Sequence, residues 1–87
     1  MSDVRLTLIG KPDCHLCEDA RDVVTGVVAG FADSPTRVSL EELSILDDEA
    51  LREKYWEDIP VVLVDGAVHT FWRVDPTRLT AAIEERA

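Results

Sequence analysis

A chain of 87 residues, 46% hydrophobic and 31% charged, is sized for one globular domain over residues 1–87. No apolar run in it approaches the ~20 residues that cross a bilayer, so no membrane association is expected. The net charge of −9, with nine scattered Lys and Arg, excludes the clustered basic surface that binds nucleic acid or anionic membranes, and it favours solubility or the steering of a basic partner.

The opening MSDVRLTLIG alternates apolar and polar residues where an export signal would carry a basic start and a long apolar run. The expected location is therefore the cytoplasm. Within it, residues 4–9 (VRLTLI) read as a half-buried strand, which GKPD then breaks. From Leu16 an apolar stripe through Ala20, Val23, Val24, Val27, Val28 and Phe31 predicts a helix lying on a core. Its β-branched content lowers intrinsic propensity, so packing has to hold it.

Residues 36–43 predict a second strand through Val38 and Leu40, and DDEALREKYW a short helix capped by Asp47 or Asp48. Tyr55 and Trp56 at its end are expected to cover core edges. The apolar run 59–66 (IPVVLVDG) predicts a central strand covered on both faces. Its Asp65-Gly66 is a tight-turn signal that returns AVHTFWRV as an antiparallel partner. Asp75 as N-cap, Pro76 at the first helical position and a stripe of Leu79, Ala82 and Ile83 close the chain with a helix. The order is βαβαββα, an α/β fold with a four-stranded mixed sheet and three helices, its first βαβ unit parallel.

Cys14 and Cys17, the two cysteines of the chain, stand two residues apart where the first strand hands over to the first helix. A disulfide closing so small a loop staples almost nothing, so the pair calls for a chemical explanation. At a helix N-terminus, unpaired backbone N–H groups and the helix dipole favour a thiolate at Cys14. Lys11 and a protonated His15 would support that charge, and Asp13, Glu18 and Asp19 would oppose it. Cys17 lies one turn along the same side and, sharing the inward stripe, is expected to be the more buried. That is the layout of a two-step dithiol exchange in which Cys14 attacks and Cys17 resolves.

A CxxC opening the first helix of a βαβαββα chain, with Ile59-Pro60 just before the third strand, resembles the thioredoxin fold and specifically its glutaredoxin-like branch. CHLCEDA, IPVVLVDG and WRVDPTRL together are most similar to small bacterial glutaredoxin-like proteins, and the resemblance covers nearly the whole chain. It implies that Pro60 is cis and packs beside the CxxC, and that the backbone of Ile59 hydrogen-bonds a substrate's disulfide partner. It also implies that Lys11 matches a glutathione-contacting position. Where glutathione-using members carry Gly-Gly followed by acidic residues, this chain has HTFWRVDP, with Trp72 and Arg73 in that neighbourhood.

The expected activity is thiol–disulfide exchange on protein or low-molecular-weight disulfides by a monomer. The dithiol is itself the redox group, so no cofactor is needed, and the electron donor is a small thiol or a reductase. The other reading is a binding or adaptor module that keeps the fold and uses the CxxC to hold a partner or a metal. A four-ligand structural zinc site would need His15 and His69 as its remaining ligands. His15 either tunes the thiolate or simply faces water, and His69 reads as an ordinary strand residue.

Overall fold

The computed structural model describes residues 2–87. Strand β1 (Ser2–Gly10) leads to helix α1 (His15–Gly30), β2 (Thr36–Ser44), α2 (Glu49–Tyr55), β3 (Val61–Val64), β4 (Ala67–Phe71) and α3 (Pro76–Arg86). The sheet order is β2-β1-β3-β4, with β1 and β2 parallel and the other pairs antiparallel. Three helices and a mixed four-stranded sheet are thus the fold that the sequence pattern predicts. Among the described residues no helix is long and apolar enough to cross a membrane.

Alternation along β1 divides the sheet into two faces. Leu6 pairs with Val64 and Leu8 with Val62, while Val38 and Leu40 of β2 align with Val4 and Leu6. This face carries the larger core: Ala20, Val24 and Val27 of α1 and Leu79 and Ile83 of α3 close over Val4, Leu6, Leu8, Val62 and Val64. Each Val, Leu or Ile among them contributes about 1.5–3 kcal/mol when fully buried, which outweighs the helix-propensity deficit of the valines in α1. On the opposite face a smaller core joins Ile9 and Val61 to Ile45 and Tyr55, with Leu51 of α2 packed against it. Helix α2 has seven residues and starts from Asp48, whose carboxylate accepts the N–H groups of Ala50 and Leu51 at 2.9 and 3.2 Å.

The turn between β3 and β4 places Asp65 (φ 50°) and Gly66 (φ 85°) both in the left-handed region, the backbone of a two-residue hairpin. Asp65 also clamps β1, since its carboxylate accepts the Arg5 N–H and its own N–H donates to the Arg5 carbonyl. Farther along, Leu63 pairs with Val68 but Val62 with Thr70, which makes His69 the extra residue of a bulge.

Three expectations are corrected. Leu16 is 40% exposed, because the inward face of α1 runs Cys17, Ala20, Val24, Val27 and a neighbouring residue points about 100° away from it. The same rotation separates Tyr55, which is buried, from Trp56, which is 60% exposed. Strand β4 stops at Phe71 and does not reach Val74, because Trp72 takes a left-handed φ of 63° that turns the chain out of the sheet.

Two consequences for stability are testable. Gly26 lies mid-helix in α1, and an ideal Cβ there meets nothing within 4 Å. Gly26→Ala is expected to stabilise the protein by about 0.5–1 kcal/mol, seen as a higher urea midpoint with unchanged m. His69 titrates below its ordinary value of 6.5, first because it is partly buried and second because Arg78 repels its charged form. A histidine with a depressed folded pKa binds fewer protons folded than unfolded. Stability is therefore full above the unfolded value and declines as pH falls through it. Urea titrations at about pH 7.5 and about pH 5.5 should show a loss that His69→Gln reduces; an unchanged loss in the variant would refute the assignment.

Candidate active site

Strand β1 delivers the chain to the site through Gly10, and the turn Lys11-Pro12-Asp13 then swings it into α1, with Asp13 in the left-handed region at φ 56°. Asp tolerates that conformation better than most residues. Cys14 follows as the N-cap in extended backbone (φ −124°, ψ 111°), and its Sγ accepts the Cys17 N–H at 3.2 Å. A cysteine thus holds the position that a hydroxyl or carboxylate side chain usually fills. In the reduced protein, negative charge on that sulfur would be favoured by the N–H it accepts and by the helix terminus it caps.

Cys14 and Cys17 are joined as a disulfide, with Cα atoms 5.2 Å apart, inside the usual range of about 4.4–6.8 Å. Cys14 is half-buried at the surface, whereas Cys17 is only 2% exposed, as the inward stripe predicts. His15 points wholly into solvent, 3.8 Å from Glu18, and so turns toward a carboxylate on the helix surface.

The sequence reading missed Gly10. An ideal Cβ at this position would lie 2.9 Å from Cys17 Sγ and 3.2 Å from Cys17 Cβ. The backbone of β1 is therefore the wall against which the second cysteine rests. The Gly10 carbonyl also accepts the Ile45 N–H at 2.9 Å, which pins that wall to the segment after β2. The legible signal was a glycine closing an apolar strand, a mark of close backbone approach.

The remaining predicted residues divide around the dithiol. Lys11 is exposed and lines a cleft of about 430 Å³ toward β2, together with Cys17, Arg21, Glu42, Ser44 and Asp47. Arg21 and Glu42 form an ion pair there, and the carboxylate hydrogen bond, followed by its charge, holds the Arg21 guanidinium above its ordinary pKa. Ile59 and Pro60 lie on the other side, toward β3, joined by a cis peptide bond. Because Ile9 pairs with Val61, Pro60 enters the sheet beside the strand that ends in the dithiol loop. The Pro60 carbonyl accepts the Trp72 N–H at 2.7 Å, and the Trp72 ring N–H donates to the Glu57 carbonyl at 3.1 Å. Trp72 is therefore fixed beside the cis-proline while the residue stays 53% exposed. Among the described residues no three His, Cys, Asp or Glu side chains gather as a metal site.

A disulfide-forming CxxC at a helix N-terminus, at the same edge of a β2-β1-β3-β4 sheet as a cis-proline, defines a thioredoxin-like fold and supports redox-type chemistry. The chain belongs to the glutaredoxin-like domain family (DUF836), whose sequence profile matches residues 5–84. Its solution-structure neighbour XcR50 from X. campestris superposes with a TM-score of 0.71 at 29% identity, covering 94% of this chain and 95% of that one. A variant thioredoxin from Halobacterium salinarum shares the fold (TM-score 0.65, 20% identity, 98% of this chain and 75% of that one). An uncharacterized protein of Mycobacterium tuberculosis is 25% identical over 83 residues, 95% of this chain and 86% of its own length.

The Gly10 contact predicts a measurable coupling. Gly10→Ala should cost about 1–3 kcal/mol in the oxidised protein, the range for overpacking a tight core, and much less in a Cys17→Ala background that lacks the sulfur. Urea denaturation of the four proteins measures it. Equal cost in both backgrounds would show that the Cys17 sulfur is not what the new methyl meets.

Proposed function

We propose that this protein is a thiol–disulfide oxidoreductase that reduces disulfides through Cys14 and Cys17. The observation that carries the proposal is Cys14 Sγ at the N-cap of α1, accepting a backbone N–H, with Cys17 one turn behind it. In the reduced protein the Cys14 thiolate attacks one sulfur of a substrate disulfide, forming a mixed disulfide and releasing the other substrate sulfur, which takes up a proton. The Cys17 thiol loses its proton and attacks Cys14 Sγ, and the second substrate thiol leaves. Two electrons pass to the substrate, and the Cys14–Cys17 disulfide remains until an external thiol or a reductase reopens it.

Ile59 and Pro60 shape the β3 side of the site, where the Ile59 backbone aligns an incoming disulfide-bearing segment, and Lys11 offers a cation on the β2 side. The dithiol supplies the redox equivalents, so no cofactor enters the cycle. A reducing compartment such as the cytoplasm would keep the pair turning over.

Cys14→Ser is expected to abolish disulfide reduction. Cys17→Ser should retain the first step and accumulate a mixed disulfide at Cys14, detectable by intact mass. Reduction that survives Cys14→Ser, or the absence of an adduct in Cys17→Ser, would overturn the assignment of roles.

A further inference from the structure

The described residues leave six large hydrophobic side chains exposed, and five of them share one end of the molecule. Gly10 pairs with Ser44, Ile9 with Val61, and Val61 with Phe71. The C-terminal ends of β1, β2 and β4 and the start of β3 therefore form one edge, from which segments 10–19, 44–49, 56–60 and 71–75 emerge. Leu16, Leu46, Trp56, Phe71 and Trp72 all belong to these segments, and only Val68 does not. The dithiol sits among them.

Trp72 is the informative member. It occupies the left-handed region that a bulky residue avoids, it is fixed through Pro60 and Glu57, and it still stays half in solvent beside Phe71. Core burial does not account for an aromatic side chain held in place and yet exposed beside a second one, whereas a contact surface for a partner does.

Charge identifies the partner. These four segments are less than a third of the chain, yet they hold nine of its 18 acidic residues and two of its nine cations, Lys11 and Arg73. Seven of the nine net negative charges are thus gathered around an apolar rim, including Asp13, Glu18, Asp19, Glu57 and Asp58 beside the dithiol and its flanking loops. Such a surface attracts cations and repels anions over a Debye length.

We propose that the dithiol end selects cationic polypeptides as substrates: a cystine in an accessible segment carrying Lys or Arg and apolar side chains, in preference to small anionic disulfides. This rests on the exchange reading above and names its substrate class. The apolar side chains of such a segment cover Trp56, Phe71 and Trp72, its cations face the acidic rim, and its disulfide meets Cys14. The exchange is the one already written, with two electrons passing from the dithiol to the peptide disulfide.

The test uses the reduced wild-type protein and three disulfide probes: a Lys/Arg-rich cystine peptide with one aromatic residue, a Glu/Asp-rich peptide of equal length, and glutathione disulfide. Single-turnover rates at about 20 mM and about 500 mM salt should show the cationic peptide reacting at least about tenfold faster than the anionic one at low salt, with the ratio collapsing at high salt. Trp72→Ala should slow the cationic peptide several-fold more than it slows glutathione disulfide. The exposed pair Glu18→Gln and Asp19→Asn should reduce the preference without disturbing packing. Equal rates for the two peptides, or a preference indifferent to salt, would overturn the substrate class while leaving exchange intact. No reaction with any probe would overturn the exchange reading and the substrate class with it.

Discussion

Every helix in this protein begins on a side chain that accepts backbone N–H groups, but the acceptors differ. Helices α2 and α3 start from the carboxylates of Asp48 and Asp75, which each accept two N–H groups. Helix α1 starts from a sulfur, and sulfur is the weaker acceptor. A carboxylate is available one residue earlier, yet Asp13 is turned into left-handed backbone and the cap falls to Cys14. The longest helix of the fold therefore gives up part of its capping energy to hold a reactive atom at the positive end of its dipole. Burial of Ala20, Val24 and Val27 against the sheet makes that concession sustainable.

The other constraint is distance. Cys17 occupies the space that a side chain at position 10 would need, so the second sulfur is located by the absence of atoms on β1. Strand pairing then fixes what surrounds the two sulfurs. Parallel β2 brings Ser44 alongside Gly10, and antiparallel β3 brings Pro60 to the same edge. The site is thus assembled from four loops at one sheet edge, and the buried Val, Leu and Ile that hold that edge in place belong to the two inner strands, β1 and β3.

Much of this was legible in the sequence because it depends on local rules. Strict alternation marked β1, Asp65-Gly66 marked the hairpin, Asp75-Pro76 marked the start of α3, and the cysteine spacing marked a strand-to-helix junction. Less visible was whatever depends on rotation about a helix axis near its end, where Leu16 and Trp56 fit an apolar pattern and yet face solvent. The end of β4 was hidden for another reason. Nothing in HTFWRVDP announces that a tryptophan will adopt left-handed backbone, because the hydrogen bonds that hold it come from Pro60 and Glu57, more than ten residues away in sequence. The Gly10 contact spans a shorter stretch of chain, but a glycine closing a strand says only that something approaches, and what approaches appears only when α1 lies across the end of β1.

On the exchange reading proposed above, the unequal exposure of the two sulfurs also sets the order of events at the site. With Cys17 only 2% exposed, an external thiol that reopens the disulfide has to reach Cys14, the same atom that in the proposed cycle attacks the substrate disulfide. One sulfur is then both entrance and exit, and donor and acceptor exclude each other from a single face. Exchange at such a pair runs in alternating half-reactions, each partner leaving before the next arrives, so its steady-state kinetics take the parallel-line form of a ping-pong mechanism.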